Sequence, residues 1–215
     1  MKVDYSKMVF LDIETMMIKE DGIAKLRQFP IQIGILRFNQ TGKCIEKKEW
    51  FTLLPKGCKV IDSYAHMHKN MFADWTNNGR KYSVYDVTKK LQKYIDDGLY
   101  IVGHNVKSFD LTWLNVYGLD ISNVKVFDTL NFIKYKYARN QKAYGYKWSS
   151  EKYSCEHLFN KLIFGDENIK FTLGASEIHE VNPDNLMCKI IVREMAKRKG
   201  FMTLFAETFP NLIRL

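Results

Sequence analysis

The seven residues Val9-Phe10-Leu11-Asp12-Ile13-Glu14-Thr15 constrain this chain more than any other stretch. Their alternation has the period of a buried β-strand, in which successive side chains switch faces. Val9, Leu11 and Ile13 then share one face, while Asp12 and Glu14 share the other, roughly 7 Å apart along the strand. Like charges held side by side in a buried strand repel and lose hydration, so the pair requires compensation. One carboxyl could stay protonated, a basic side chain could insert, or divalent cations could bind between them. Oxygen-only ligands favour Mg²⁺ or Mn²⁺. The plain alternative is an edge strand with two solvated acids, which suffices only if the pair stands alone.

Two further constellations follow it. In Ile101-Val102-Gly103-His104-Asn105-Val106-Lys107-Ser108-Phe109-Asp110 an apolar strand ends at glycine, and Asp110 falls in the first turn of a helix. The helix dipole there favours an ionised carboxylate by roughly 0.3–1 kcal/mol. Simple capping explains an Asp at this place but not the Gly-His-Asn before it. In Glu177-Ile178-His179-Glu180-Val181-Asn182-Pro183-Asp184 a histidine precedes a helix and Asp184 sits in its first turn. A fourth carboxylate completes an oxygen set suited to two divalent ions.

The rest of the sequence bounds these readings. At 215 residues the chain fits a single domain spanning 1–215 with a sizeable core. Its net charge of +9 points to a polyanionic partner, nucleic acid or an anionic membrane surface. Cys44, Cys58, Cys155 and Cys188 lie far apart and form no zinc motif, so they read as reduced thiols in an intracellular protein. The first residues lack the apolar run of a signal peptide, and no stretch is long and apolar enough to span a membrane. The expectation is a soluble intracellular protein, cytoplasmic or nuclear, with no membrane partner.

Along the chain, Met16 to Gln28 is polar and reads as irregular. Strands are expected over 31–38 and 43–53, forming an antiparallel meander with the first, and a loop or short helix then carries His66 and His68. Val84, Val87, Leu91, Tyr94 and Ile95 recur at helical spacing. The apolar run 99–103 is expected to be a central, parallel strand. Ser108 reads as an N-cap, 124–127 as an edge or fifth strand, and Asp128-Thr129 as the opening of another helix. A helical pattern occupies 150–163. Asn182-Pro183 is expected to start the last long helix, which Gly200 stops. The order β-β-β-α-β-α-β-α implies an α/β domain with a mixed sheet.

Taken together, Phe10-Leu11-Asp12-Ile13-Glu14-Thr15, then Val102-Gly103-His104-Asn105 with Phe109-Asp110, then His179 and Asp184 five residues apart, resemble the three exonuclease motifs of the DEDDh family. The likeness covers most of residues 7–196. Phe127-Asp128-Thr129-Leu130 resembles a secondary element of these enzymes, as does Met67-His68. Glu-Val-Asn-Pro between His179 and Asp184 departs from the small residues that members often carry there. The resemblance implies an RNase H-like fold, a mixed central sheet flanked by helices, and hydrolysis of nucleic acid from its 3′ end to nucleoside 5′-monophosphates. Asp12, Glu14, Asp110 and Asp184 would hold two Mg²⁺ or Mn²⁺ ions about 3.5–4 Å apart. His179, with an ordinary pKa near 6.5, suits a general base. By the same resemblance, Thr15 and the backbone after Glu14 meet the terminal 3′ hydroxyl. Met16 or Met17 either wedges against the last base or belongs to the core. His104 and Asn105 line the same pocket, or Asn105 braces the loop.

Residues 134–148 hold five basic side chains, among them Lys134 and Arg139, and five aromatics, among them Tyr144, with no acid. Such a segment either tracks a single strand of DNA or RNA by stacking and phosphate neutralisation or forms a solvated surface. The competing functional classes are an inactive nucleic-acid-binding or polymerase-docking module of the same fold, and a basic scaffold. A polymerase or a second copy of the chain is the partner expected beyond nucleic acid.

Overall fold

In the computed structural model, described here for residues 2–21, 26–61, 65, 69–137, 155, 158 and 181–214, the Asp12–Glu14 stretch lies within a long central strand. The elements are β1 (Lys2–Val3), β2 (Met8–Glu20), β3 (Leu26–Phe38), β4 (Cys44–Thr52) and β5 (Cys58–Val60). Then come α1 (Lys69–Asn77), β6 (Lys81–Tyr82), α2 (Val84–Asp96), β7 (Tyr100–Gly103), α3 (Asp110–Val116) and β8 (Lys125–Asp128). A short α4 (Thr129–Asn131) leads into a π-helical stretch at Phe132–Tyr137; α5 (Val181–Ala196), α6 (Lys199–Thr208) and β9 (Ile213–Arg214) follow. The main sheet runs β6-β4-β3-β2-β7-β8, with β5 added alongside the far half of β2. β2, β3 and β4 form the expected antiparallel meander, and β7 is parallel to both β2 and β8. This mixed sheet flanked by helices is the RNase H-like fold.

Each sheet face has its own core, and β2 serves both. Val9, Leu11 and Ile13 pack with Ile33, Ile35, Ile101 and the apolar stripe Val84, Val87, Leu91 of α2. Met8 and Phe10 face the other way, onto Met187, Cys188, Ile191 and Met195 of α5. The register of β2 against β3 shifts between Glu14 and Thr15, so the alternation inverts there. Beyond that bulge the even-numbered Met16 and Ile18 enter the core that the odd-numbered residues occupied before it. The strands therefore continue where irregular chain was expected: β2 reaches Glu20 and β3 begins at Leu26. A bulge breaks the sequence period without breaking the strand, and this made 16–28 look patternless.

The last helix also differs from expectation. It ends at Ala196, Arg198 caps a second helix, and Gly200 lies inside that helix instead of stopping the first. Phe201 and Phe205 pack on Phe132 and Phe127 at centroid distances of 5.1 and 5.0 Å. Burying this aromatic group outweighs the weak helix propensity of one glycine, about 1 kcal/mol. Ser108 is not the cap of α3: its N–H and that of Phe109 bond Asn105 O at 3.2 and 3.0 Å, and the helix begins at Asp110. Most of the 150–163 pattern, and His66, Met67 and His68, lie outside the described residues; Cys155 and Leu158 are helical, with Leu158 in the core.

Gly103 marks the point where β7 meets the neighbouring strand. A Cβ placed there would sit 2.6 Å from Leu11 O and 2.7 Å from Val106 Cβ, closer than packed atoms come. Gly103→Ala is expected to lower stability by about 1–3 kcal/mol, as overpacking of a rigid site does. Urea unfolding of the variant checks this, and an unchanged midpoint would mean that the end of β7 moves aside freely.

Candidate active site

The even-numbered row of β2 changes character along its length, from Met8 and Phe10 to Asp12 and Glu14. Opposite it, α5 does the same in reverse, from Ile191 and Cys188 back to Asp184 in its first turn. Where the two acidic ends meet, carboxylate oxygens of Asp12, Glu14 and Asp184 all lie within 4.8 Å of one another. Asn185, 1% exposed, fixes this approach by donating from Nδ2 to Gly34 O at 3.0 Å. Gly34 is the residue paired with Asp12 across β2 and β3, so the helix start is tied to the acid pair's own register.

Asp110 reaches the same place from the opposite side of the sheet edge. β7 ends at Gly103, and past that end the backbone N–H of Ile13 donates to Asp110 Oδ1 at 2.9 Å. A buried backbone N–H needs a partner, and here the carboxylate supplies it. Asp110 is 2% exposed. Its place beside the triad, not within it, leaves the second oxygen to the shared field.

That field is severe. Burial, with Asp184 and Asp110 beside it, pushes the Glu14 carboxyl up to about 8. Burial likewise pushes Asp110 up to about 8, against the lowering effect of its backbone hydrogen bonds and with Asp128 and Asp184 adding to the rise. Asp12 is raised well above the carboxylate range by burial, then by Asp110, Asp184 and Glu14. Asp12 Oδ2 is buried without a hydrogen-bond partner among the described residues. A hard divalent cation satisfies all of this: an orphaned anionic oxygen, three converging carboxylates and no competing basic side chain among the residues lining the site. The donor set thus fits Mg²⁺ or Mn²⁺, with Asp12, Glu14 and Asp184 as ligands and Asp110 at hand.

A cavity of about 150 Å³ opens beside Asp12 and Asp184, lined also by His104 and Asn185. Thr15 is buried at the bulge directly after Glu14. Met16, 0% exposed, belongs to the core on the face away from the acids, which decides between its two readings. Met17 borders a separate groove with Arg27, Trp113 and Tyr117. Asn105 has φ +64°, a left-handed conformation that Asn tolerates better than most residues. Its N–H donates to Asp128 Oδ1 at 3.2 Å, so its backbone braces the loop. Asp128 also accepts from the N–H groups of Lys107 and Asn131, each at 3.0 Å. One carboxylate thereby caps α4 and clamps the loop that carries Asp110. The sequence marks Asp128-Thr129 only as a helix opening, and nothing in its spacing announces the clamp or Asn185. Lys134 is partly buried in the π-helical stretch, away from the residues lining the cavity. His179, Arg139 and Tyr144 lie outside the described residues.

The comparisons agree with this geometry. The family model described as Exonuclease, of the RNase T type, matches residues 9–160. No curated protein matches the chain in sequence. Among solved structures, Escherichia coli exonuclease I in complex with a dT13 oligonucleotide is similar at a TM-score of 0.63 and 14% identity, covering 94% of this chain and 43% of that one. The Saccharomyces cerevisiae Pan2 pseudoubiquitin hydrolase–RNA exonuclease module, in complex with AAGGA RNA, gives 0.60 and 13%, covering 97% of this chain and 32% of that one. The Neurospora crassa Pan2 catalytic unit gives 0.57 and 13%, covering all of this chain and 31% of that one. This chain spans less than half the length of these relatives.

The raised carboxyls make stability depend on pH in a definite direction. A folded-state value above the unfolded one adds stability that is complete below the unfolded value and lost as pH rises through the folded value. In the metal-free protein this contribution is therefore full below about 4 and gone above about 8. The melting temperature is expected to fall across that window, and to fall less with Asp12→Asn or with added Mn²⁺. Equal slopes for the variant and the parent, followed by thermal unfolding, would show that the acids do not share a field.

Proposed function

The chain belongs to the exonuclease family, and from that premise we propose that it is a metal-dependent 3′-5′ exonuclease acting on single-stranded or frayed ends of DNA or RNA. The observation that carries this reading is the convergence of Asp12, Glu14 and Asp184 around an unpartnered, buried Asp12 oxygen. With Asp110, these residues hold Mg²⁺ or Mn²⁺. When bound, the divalent ions neutralise the negative charge that grows on the phosphodiester in the transition state. Asp110 acts from a fixed position, because one of its oxygens is spent on Ile13 N–H. Asn185 keeps Asp184 over the acid pair by holding the first turn of α5 against β3. Thr15 and the backbone after Glu14 receive the terminal hydroxyl. His179 takes a proton from the attacking water, which needs its neutral form. Lys134, Arg139 and Tyr144 belong to a segment that tracks the strand upstream, and the net charge of +9 favours its approach.

End-labelled single-stranded DNA and RNA, incubated with and without Mg²⁺, test the reading. The expected result is stepwise release of nucleoside 5′-monophosphates from the 3′ end that requires the metal. Asp12→Ala should abolish hydrolysis with the fold intact, since it removes one member of a repelling set. Near-normal hydrolysis by that variant in Mg²⁺ would overturn the metal mechanism, and retained but metal-independent binding without cleavage would favour a binding module. His179→Ala should lower turnover by about 10²–10⁴-fold while metal binding is retained. Unchanged turnover would remove His179 from the chemistry.

A further inference from the structure

His104 borders the cavity at Asp12 and Asp184, and its ring is held from behind. Its Nδ1 lies 3.0 Å from Thr129 Oγ1. The same hydroxyl lies 3.1 Å from Gly103 O, and 3.7 Å from Cys188 Sγ. Thr129 is fully buried, so its hydroxyl has no solvent alternative. A threonine hydroxyl has one proton to give and two lone pairs to receive. A carbonyl oxygen can only accept, and it is a stronger acceptor than a thiol sulfur. The Thr129 proton is therefore committed to Gly103 O, and the His104 contact forms only if Nδ1 carries hydrogen. Cys188 is left to use the remaining lone pair through its weak S–H donor.

This chain of donors has a consequence at the other ring nitrogen. In a neutral imidazole with hydrogen on Nδ1, Nε2 is an acceptor. A histidine beside a nucleic-acid site is ordinarily credited with phosphate binding, which needs a donor. Here the surroundings oppose that, since the cavity it borders already contains two carboxylates that phosphate must approach through cations. We propose that Thr129 is a positioning residue that locks His104 in its Nδ1–H form, so that the ring receives a hydroxyl of the terminal nucleotide's sugar. The inference rests on the exonuclease reading for the identity of the ligand, while the lock itself depends only on Thr129, Gly103 and His104.

The tautomer is read directly from ¹⁵N-labelled histidine by long-range ¹H–¹⁵N correlation of the intact chain in Ca²⁺. Hydrogen on Nδ1 of His104 is expected, and hydrogen on Nε2 in the parent protein overturns the proposal. The ligand is tested by the affinity, in Ca²⁺, of a single-stranded oligonucleotide ending in a 3′ hydroxyl against one ending in 3′-deoxyribose. The hydroxyl-ended strand is expected to bind about 3–10-fold tighter, as one hydrogen bond allows. Thr129→Val removes the hydroxyl at nearly constant volume and should abolish both the Nδ1–H signature and the preference. Thr129→Ser should restore both, and His104→Ala should lose the preference by a separate route. A preference that survives in both Thr129→Val and His104→Ala overturns the hydroxyl contact. If neither strand binds although the Nδ1–H signature is present, the nuclease reading and the hydroxyl contact fall together, and the failure is not in the lock.

Discussion

Mutual repulsion among carboxylates that cannot move apart sets the terms for the rest of the molecule. Two ionised oxygens 4.8 Å apart repel by roughly 3.5 kcal/mol at an effective dielectric near 20, and three acids meet at or within that distance. Left to itself, such a cluster would spread. It is prevented from doing so by a sheet packed on both faces, with aliphatic side chains of β2 and β3 on one side and α5 with the Phe127–Phe205 aromatic group on the other. The apolar cores therefore maintain an electrostatic tension that a cation relieves. Stability without the ion and affinity for it are two sides of one quantity.

The polar groups around the acids are arranged so that little else is unsatisfied. Asp128 takes three backbone N–H groups of the loop and the following turn, Asn185 ties helix to strand, and Asp110 caps an N–H left over where β7 ends. Each of these side chains is short and buried, and each binds backbone, so the positions of the acids follow from the main chain and not from flexible side chains. Rigid support of this kind holds a catalytic geometry to within fractions of an ångström.

The sequence made the central strand readable because its period and its charges pointed the same way: Val9, Leu11 and Ile13 do lie on one face and Asp12 and Glu14 on the other. The apolar run before Gly103 was equally legible, since only a strand covered on both faces tolerates it. Asp184 was legible as an acid in a first helical turn. What stayed hidden had no periodic signature. The continuation of β2 past Thr15 was masked by a one-residue change of phase, Gly200 by aromatic packing brought from residues far away in sequence, and the clamp at Asp128 by contacts with a loop more than twenty residues earlier. Met16 illustrates the same limit: its type fits a base wedge or a core, and only the inverted phase assigns it to the core.

The inversion at the bulge also bears on how faithfully the sheet can assemble. If β2 slid by one residue against β3, every side chain of its first half would change faces. Asp12 and Glu14 would be driven in among Leu91, Leu111 and Ile95, with no cation and no backbone donor to meet them. Desolvating two carboxylates without partners is far more costly than any gain from alternative strand pairing. The residues that equip the strand for chemistry thus also proofread its alignment, and a chain paired in the wrong phase has no compact state in which to persist.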